Sequence, residues 1–441
     1  MKSPEQWQAW AAQQGIEAIT QPTQVARLSQ DYYHFSQILT PLLADKRGDV
    51  VLKPATEEEV IAIAQACVQS ETFLTVRGSG TGNYGQCIPL QGGVILETSK
   101  LQRVIHLEAG YTTVEPGVKL ASLEQQAQSL GWEWRMVPST VRTATIGGFI
   151  AGGSGGIGSI LYGQLRDRGN LIGARVVTMT DPVEVIELEG DATQVINHAY
   201  GVNGIITALT LPLAPAYPWC AFGVSFQDFE PAAEFGLALA NSDGIIKRLI
   251  SVFDRPIPQF FSTLREQIAA PDQCLVLALI NKPDRLAFTE LAQKYSGEVI
   301  PLDKPITVIE CTWNHTTLHA RAADSSWTYL QCLYPDLATV YKLREQLVGE
   351  LVMHLEFIRM GGKVIPAAIP LVRFTTADRM AELIQLHEAQ GVLVANPHTY
   401  ILEDGGMKTI DWEQLQFKRR VDPKGLMNPG KMRAWSMLDQ S

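Results

Sequence analysis

Residues 147–158 are Gly-Gly-Phe-Ile-Ala-Gly-Gly-Ser-Gly-Gly-Ile-Gly, and seven of these twelve positions are glycine. A run this rich in glycine leaves backbone N–H groups unshielded. The main chain can therefore lie directly against a ligand, usually one that carries phosphate. Apolar and β-branched residues at positions 145, 146, 149 and 150 anchor the run, which is not typical of a flexible linker. Residues 145–158 are called the second glycine segment below.

The first glycine loop lies upstream, at residues 77–85, with the sequence Arg-Gly-Ser-Gly-Thr-Gly-Asn-Tyr-Gly. Residues 80–85 match the dinucleotide pattern G-x-G-x-x-G, which requires a helix directly after the loop. Residues 86–93 contain a proline and two glycines, so no helix can begin there and a Rossmann domain is excluded. The two glycine stretches, roughly seventy residues apart, predict one extended nucleotide cofactor held by backbone at two places.

Composition narrows the class of protein. The chain has 441 residues, 46% hydrophobic and 19% charged, which is typical of a folded protein with two or more domains. Its net charge of −10, without a basic stripe, argues against a nucleic-acid partner. The six cysteines lack C-x-x-C spacing and suit a reducing compartment. A polar N-terminus and the absence of an eighteen-residue apolar run predict a cytoplasmic protein with no transmembrane segment.

The pattern of apolar residues divides the chain into four parts. A mostly helical arm comes first, followed by a mixed α+β domain that ends in a proline-rich boundary. A second α+β domain with an antiparallel sheet follows, and one of its expected strands covers 306–312. A turn-rich C-terminal segment then returns to the first α+β domain. The predicted bounds of the four parts are 1–48, 49–218, 219–395 and 396–441.

Further motifs accompany the two glycine stretches in a fixed order along the chain. They are Glu115-Pro116-Gly117-Val118, Tyr162-Gly163 with Arg166-Asp167, Gly204-Ile205-Ile206, and the tail Asp422-Pro423-Lys424-Gly425-Leu426-Met427-Asn428-Pro429-Gly430-Lys431. The whole set resembles the PCMH-type FAD-binding domain of the vanillyl-alcohol-oxidase superfamily, in the branch of glycolate oxidase and D-lactate dehydrogenase. The resemblance implies an α+β fold: a two-subdomain PCMH-type FAD-binding domain plus an α+β cap domain with an antiparallel sheet.

The resemblance also implies FAD as the cofactor and assigns residues to it. Gly78 to Gly82 of the first glycine loop would bind the pyrophosphate. The ribityl chain and the pyrophosphate would be lined by Pro138, Ser139, Thr145, Gly147 and Gly148. Ile205 and Ile206 would lie on the far side of the cofactor, and Asn428 would approach the flavin ring from the tail. The implied cofactor-binding residues are Arg77, Gly78, Ser79, Gly80, Thr81, Gly82, Pro138, Ser139, Thr145, Gly147, Gly148, Ile205, Ile206 and Asn428.

Thr81 bears on how the cofactor is held. It occupies the position where covalent flavoproteins of this superfamily carry the histidine that is linked to the ring. A threonine cannot form that bond, and Cys87, a conceivable substitute tether, falls outside the matching position. We therefore expect FAD to be bound noncovalently.

The catalytic half of the chain departs from the hydroxy-acid branch. That branch carries the motifs G-H-x-G-D-G-N-x-H and S-x-E-H-G, which bind a divalent metal beside the flavin, and neither is intact here. The chain offers His398, together with His315 and His319, whose spacing of four places them on one face of a strand or a helix. We expect a general base among these histidines, with purely structural histidines as the alternative. A divalent metal is a less favoured addition.

Four other residues are candidates for the substrate site. Arg359 and Arg373 lie in otherwise apolar β segments, and an arginine fork suits a substrate carboxylate. The alternative for each arginine is a salt bridge on an edge strand. Tyr400 and Glu403 follow His398 and have the same two interpretations. Arg373 and Tyr400 join the three histidines in the expected catalytic set.

The resemblance and these residues imply an FAD-dependent oxidoreductase that acts on CH–OH groups. The expected substrate is a small molecule, a 2-hydroxy acid or related alcohol, from which hydride passes to flavin N5. One alternative is a catalytically silent, flavin-carrying subunit of a larger complex. Another is an enolpyruvyl-sugar reductase, although the long cap and the tail are not typical of that class. The sequence does not identify the electron acceptor.

Overall fold

The computed structural model describes residues 2–153, 155–268, 272–407 and 409–438. Ser154 of the second glycine segment and the last residues of the C-terminal segment, 439–441, lie outside the described residues. Up to residue 218 the elements are α1 (Pro4–Gln14), β1 (Glu17–Ile19), α2 (Pro22–Leu28), α3 (Leu39–Leu43), β2 (Val50–Lys53), α4 (Glu57–Ser70), β3 (Leu74–Arg77), β4 (Val94–Glu97), β5 (Val104–Glu108), β6 (Tyr111–Val114), α5 (Leu120–Ser129), β7 (Trp132–Trp134), α6 (Ile146–Gly152), α7 (Ser159–Tyr162), β8 (Gly173–Val177), β9 (Val185–Glu189) and β10 (Ile205–Pro215).

The elements from residue 219 onward form the cap and the tail. Those of the cap are β11 (Trp219–Phe226), α8 (Phe229–Asn241), β12 (Lys247–Phe253), β13 (Cys274–Asn281), α9 (Arg285–Lys294), β14 (Glu298–Leu302), α10 (Pro305–Ile309), α11 (Asn314–Ala323), β15 (Trp327–Tyr329), β16 (Gln331–Leu333), α12 (Leu337–Gln346), β17 (Leu351–Val352), β18 (His354–Met360), β19 (Lys363–Ala368), β20 (Leu371–Arg373), α13 (Ala377–Glu388) and β21 (Leu393–Ala395). The tail contains a π-helical turn (Glu403–Met407), α14 (Trp412–Val421) and α15 (Arg433–Leu438).

Helix α4 shows how local sequence sets an element of the first domain. Thr56 Oγ1 accepts a hydrogen bond from the backbone N–H of Glu59 at 3.3 Å, which caps the helix. Three glutamates in the first turn oppose the positive end of the helix dipole. Val60, Ile63 and Cys67 are fully buried at helical spacing. These local features account for the helix over 57–70.

Two sheets form the first domain, as the two-subdomain prediction requires. The first has the order β1-β2-β4-β3, with β2 and β3 parallel to β4. The second is antiparallel, in the order β5-β6-β10-β8-β9, and β7 also pairs with β10. Strand β1 comes from the N-terminal arm and pairs antiparallel with β2. The arm, expected to be mostly helical, therefore also adds a strand to the first sheet.

The cap contains the expected antiparallel sheet. Its eight strands run in the order β14-β11-β13-β12-β18-β19-β16-β21, and this is the cap sheet below. Every neighbouring pair in it is antiparallel. All seven residues of β12 are buried near the middle of the sheet. These sheets confirm the α+β class and the cap with an antiparallel sheet.

One predicted cap strand is wrong. The segment 306–312 was expected to be a strand, but residues 305–309 form helix α10. Its run of Ile, Thr, Val and Ile has strand propensity, but Pro305 at the first helical turn already has the helical φ and needs no hydrogen-bond donor there. Val308 and Ile309 are buried in the core that lies against the cap sheet. Tertiary burial thus overrides propensity in this segment.

The tail docks on the first sheet. Met427 forms a parallel bridge with Leu74, and the backbone N–H of Asn428 donates to the carbonyl of Leu74 at 2.8 Å. Lys418 is buried and donates from Nζ to a carboxylate oxygen of Asp422 at 2.8 Å. Burial lowers the pKa of Lys418. The return of the C-terminal segment to the first domain therefore includes a buried ion pair.

Substituting Asp422 with Asn should loosen this docking. The Asp422 carboxylate also accepts the backbone N–H groups of Leu426 and Met427, at 2.9 and 2.8 Å. Asn keeps the size but removes the charge that balances Lys418, so we expect a loss of roughly 1.5–3 kcal/mol in unfolding free energy. Chemical denaturation measures this loss. Asp404→Asn, which breaks the more exposed pair with Arg433, is the control and should cost less; equal losses would contradict the prediction.

No helix in the described part of the chain combines the length and the apolar character needed to cross a membrane.

Candidate active site

A cavity of about 830 Å³ is lined by residues of both the first domain and the cap. The first glycine loop and the second glycine segment supply one part of its lining. Strands β16, β18, β19 and β21 of the cap sheet, with the start of α11, supply another. The two glycine stretches and the cap therefore meet at one site.

Arg77 holds the first glycine loop in place. Its guanidinium donates to the carbonyl oxygens of Leu28, of Gln30 at 2.8 Å and of Ser79 at 3.2 Å. A Cβ at Gly80, where φ is +66°, would collide with this guanidinium. Arg77 therefore ties the N-terminal arm to the loop, and Gly80 makes room for it.

The two glycine stretches touch each other. A Cβ at Gly78 in the loop would collide with Oγ1 of Thr145, the residue before α6. Helix α6, which begins the second glycine segment, is fixed by the backbone N–H of Gly147, which donates to the carbonyl of Pro116 at 2.9 Å. Segments from three separate motifs therefore pack directly against one another.

Gly147 and Gly148 are adjacent but differ in what they face. A Cβ at Gly147 would lie 2.5 Å from Cβ of Pro116 and 3.1 Å from its carbonyl oxygen. A Cβ at Gly148 would meet only Oγ1 of Thr145, at 3.1 Å, and Gly148 lines the cavity. The protein itself requires glycine at 147, whereas at 148 a side chain would project toward whatever occupies the cavity.

Two buried hydroxyl groups in the cavity lining have no hydrogen-bond partner among the described residues. They are Oγ1 of Thr145 and the phenolic hydroxyl of Tyr200. Buried polar groups are normally satisfied, so such groups beside a cavity indicate a polar ligand. Both adjoin the glycine stretches.

Among the predicted catalytic residues, His315 lines the cavity. It lies in the first turn of α11, directly after Asn314. Burial, together with the neighbouring His319, lowers the pKa of His315 to about 4. The imidazole is therefore neutral near pH 7 and able to accept a proton.

His319 and His398 lie outside the cavity lining. Nε2 of His319 lies 3.0 Å from the carbonyl oxygen of Glu310, and its ring packs edge-on against Phe261. His398 is buried, with Nδ1 2.8 Å from Oγ of Ser36 and Nε2 3.0 Å from the carbonyl oxygen of Tyr329. Burial lowers the pKa of His398 to about 4. Both imidazoles are in structural hydrogen bonds.

The two candidate arginines are engaged elsewhere. Arg373 is exposed, forms an ion pair with Asp324 at 2.8 Å and lies 4.2 Å from the centre of the Trp327 ring. Arg359 pairs with Asp243 at 3.1 Å. Neither lines the cavity, and both form salt bridges as in the alternative, although β18 and β20 are inner strands of their sheets rather than edge strands.

Tyr400 and Glu403 hold the tail. The ammonium of Lys431 lies 5.0 Å from the centre of the Tyr400 ring. The carboxylate of Glu403 accepts the backbone N–H groups of Arg433 and Ala434, both at 2.9 Å. Neither side chain lines the cavity.

The structure brings most of the predicted cofactor residues together. Asn428 lies behind the first glycine loop, where Nδ2 donates to the carbonyls of Gln86 at 2.8 Å and Tyr200 at 2.6 Å. Ile205 is buried in the core beside Val177. The predicted residues that line the cavity are Arg77, Gly78, Ser79, Gly80, Thr81, Gly82, Pro138, Ser139, Thr145, Gly147, Gly148 and Ile206.

Sequence reasoning missed a buried network beside His315. Trp313 has φ +53° and ψ −141°, a conformation typical of glycine. Its backbone N–H donates to Oε1 of Glu356 at 2.8 Å, and Nε2 of His354 lies 2.9 Å from the same oxygen. Ser251 Oγ donates to the other oxygen of Glu356 at 2.6 Å. The spacing of His354 and Glu356 on β18 was the available signal, since alternate strand residues share a face.

Two polar atoms beside this network have no hydrogen-bond partner in the part of the chain that the structure describes. Nε1 of Trp313 and Oδ1 of Asn314 are buried without partners among the described residues, and both residues line the cavity with His315. Across the described ranges, no group of three or more His, Cys, Asp or Glu side chains could hold a metal ion. Residues 313–315 thus bring an indole, an amide and an imidazole to one stretch of the cavity lining.

Comparison with known proteins identifies the first domain. Residues 48–185 match the family model described as an FAD binding domain. The chain contains an FAD binding domain over these residues. It is therefore an FAD-binding flavoprotein, and the cofactor expected from the resemblance is confirmed.

Several curated proteins are similar to parts of this flavoprotein. An uncharacterized FAD-linked oxidoreductase of Mycobacterium tuberculosis is 26% identical over 278 residues, 59% of this chain and 58% of the relative. The glycolate oxidase subunit GlcD of Bacillus subtilis is 30% identical over 38% of this chain and 37% of its own length. A D-lactate dehydrogenase of Archaeoglobus fulgidus is 32% identical over 31% of each. The chain thus spans less than two thirds of the length of these relatives.

Solved structures share the fold. An alkyldihydroxyacetonephosphate synthase superposes with a TM-score of 0.69 at 16% identity, and the match covers 88% of this flavoprotein and 76% of the synthase. The match extends beyond the FAD-binding domain into the cap. At this identity the likeness concerns the fold.

The residues present fit FAD. The glycine stretches meet where a phosphate could lie against backbone, and the unpartnered hydroxyls of Thr145 and Tyr200 are available to a polar ligand. Gly148 leaves the space that a side chain would fill. The pyrophosphate and ribityl chain would be held by residues 78–82 and 145–148.

We predict that FAD is released completely when the protein is denatured. Thr81 lines the cavity at the tether position and cannot form the flavin bond. Cys87 also lines the cavity, but burial raises the pKa of its thiol to about 11, so the reactive thiolate is scarce at neutral pH. Acid precipitation followed by absorbance of the supernatant checks this. Flavin that stays with the pellet in the wild type but not in Cys87→Ser would identify a cysteine tether.

Proposed function

We propose that this flavoprotein oxidises the CH–OH group of a small 2-hydroxy acid or related alcohol. The observation that carries the proposal is the position of His315, a neutral histidine on the cavity that the two glycine stretches line. The glycolate oxidase subunits and D-lactate dehydrogenases among the similar proteins support the same reaction class.

In the proposed reaction His315 acts as the general base. When bound, FAD supplies a two-electron acceptor that takes up hydride at N5. The O–H bond of the substrate breaks and its proton goes to a ring nitrogen of His315. The C–H bond breaks with its electron pair, which leaves as hydride, and the carbon–oxygen double bond forms. The product is the corresponding ketone or 2-oxo acid.

Trp313 and Asn314 would orient the substrate hydroxyl. The indole N–H of Trp313 can donate to the substrate oxygen, and Oδ1 of Asn314 can accept from a hydroxyl. Glu356 acts as a positioning residue because its hydrogen bond holds Trp313 in its glycine-like conformation, a strain of about 1–3 kcal/mol. His354 and Ser251 in turn fix the Glu356 carboxylate.

One observation favours the second candidate function, a flavin-carrying subunit without catalysis of its own. Two of the three predicted catalytic histidines, His319 and His398, are in structural hydrogen bonds. A silent subunit would still bind FAD through the glycine stretches but would not react with any hydroxy compound.

Anaerobic mixing of the FAD-loaded protein with hydroxy compounds separates the two functions. The panel contains 2-hydroxy acids and secondary alcohols of increasing size, and bleaching of the flavin absorbance reports reduction. We expect at least one compound to bleach the flavin within seconds, at typical enzymatic rates of about 1–1,000 per second. Flavin that dithionite reduces but no compound bleaches would support the silent subunit instead.

A further inference from the structure

One face of the cap sheet forms a continuous wall of the cavity. Glu356, Ile358 and Met360 alternate along β18, so they share a face. Ala367 of β19 pairs with Glu356 of β18 on one side and with Leu333 of β16 on the other. All five residues line the cavity. The wall therefore crosses three neighbouring strands of the sheet.

Apart from Glu356 and Gln331, this face is apolar, and it is open. Beyond Leu333, strand β21 adds Leu393, which pairs with Leu333. Met360 is 41% exposed and Leu393 45% exposed, and Leu318 of α11, on the same cavity, is 42% exposed. Apolar side chains gathered at an open cavity, rather than scattered singly, mark a binding surface.

The cavity has no ready partner for a substrate carboxylate among its described residues. Its arginines are already engaged: Arg77 with backbone carbonyls, and Arg166 with Asp411 at 3.4 Å. Within the cap part of the lining, Glu356 is the one residue that carries an ionisable acid, and no lysine or arginine lies there. A carboxylate moved from water to this surface would lose hydration without gaining a cation.

We infer that the cap half of the cavity binds an uncharged alcohol with a large apolar group rather than a small 2-hydroxy acid. This inference rests on the proposed function and narrows its substrate class. The hydroxyl lies at Trp313, Asn314 and His315, and the apolar group extends over Ile358, Ala367 and Leu333. Ala367 leaves room for this apolar group, since a larger side chain at position 367 would fill the space.

Binding to the FAD-loaded protein tests the inference without requiring turnover. The ligands are secondary alcohols from 2-butanol to 2-octanol, with D-lactate and 2-hydroxyoctanoate as acids of short and long chain. Shifts in the flavin absorbance spectrum or in the melting temperature report binding. Each added methylene should lower the dissociation constant of the alcohol about fourfold, because burying one methylene group contributes roughly 0.8 kcal/mol. 2-Octanol should bind more tightly than 2-hydroxyoctanoate.

One variant and its matched control test the position of the apolar group. Ala367→Leu should weaken the binding of 2-octanol at least about tenfold and change the binding of 2-butanol by no more than about twofold. Only the long chain reaches residue 367. Ala389→Leu, at the exposed end of α13, is the matched control and should change neither.

The outcomes separate this inference from the proposed function. If D-lactate bleaches the flavin while 2-octanol binds no better than 2-butanol, the inference is overturned and oxidation stands. If 2-octanol binds with the expected dependence on chain length but never bleaches the flavin, the apolar site stands and oxidation fails. Binding of 2-octanol that Ala367→Leu leaves unchanged would overturn the assignment to the cap sheet.

Discussion

Replacing His315 with Gln is expected to slow flavin reduction by about a hundredfold to ten-thousandfold, the usual loss on removing a general base. Gln is close in size and retains hydrogen-bonding capacity, so the site should stay folded and FAD should remain bound. Stopped-flow bleaching of the flavin under anaerobic conditions measures the rate. The flavin content of the purified variant shows whether binding has changed.

His319→Gln is the matched control, one helical turn further along α11. Its imidazole bonds to the carbonyl of Glu310 outside the cavity, so reduction should change by no more than a few fold. Equal losses in the two variants would show that α11, rather than the base, is being perturbed. An unchanged rate in His315→Gln would rule out the proposed base.

The pH dependence gives a second readout for His315. With a pKa of about 4, the imidazole is neutral across the neutral range and becomes protonated as the pH falls through that value. A protonated imidazole cannot accept the substrate proton. The wild-type reduction rate should therefore be flat near pH 7 and fall on the acid side, and this fall should be absent in His315→Gln.

The second large effect is expected at Gly148. Substitution with Val should reduce the flavin content at least about tenfold, because the two methyl groups project into the cavity where the cofactor lies against backbone. The fold should survive, since the added Cβ meets only Oγ1 of Thr145, at 3.1 Å. Flavin absorbance relative to protein, with circular dichroism as the test of folding, measures both.

Gly244→Val is the control for Gly148. A Cβ at Gly244 meets nothing within 4 Å, and the residue lies outside the cavity lining. The control should retain its flavin. A folded Gly148→Val protein with full flavin content would show that the cofactor does not approach the second glycine segment.

Local sequence signals predicted much of the fold. Helix α4 has a capping threonine, acidic residues in its first turn and a buried face at helical spacing, all within sixteen residues of chain. The glycine stretches are equally local, and nearly all the residues assigned to the cofactor within them line one cavity. Helix α10 was missed because its β-branched run satisfies strand propensity, and only its burial and Pro305 decide against a strand.

The catalytic part of the site depends on contacts that local patterns do not record. The sequence made His398 a candidate general base but did not show its hydrogen-bond partners. One of these partners, Ser36, lies 362 positions earlier in the chain. Glu356 reaches Trp313 across 43 positions and two different elements. His315 and His319 share one face of α11, and only His315, one turn nearer the start of the helix, meets the cavity.

The buried hydrogen bonds between the tail and the first glycine loop have a consequence for the order of events during synthesis of the protein. Nζ of Lys431 donates to the carbonyl of Gly85 at 2.6 Å, and Asn428 donates to that of Gln86 at 2.8 Å, spans of 346 and 342 positions. The ribosome synthesises the loop early. The two carbonyls then lack their native hydrogen-bond donors until residue 431 has been added. Acquisition of FAD is therefore a late step of biogenesis, and a nascent chain that stalls within the cap should emerge colourless.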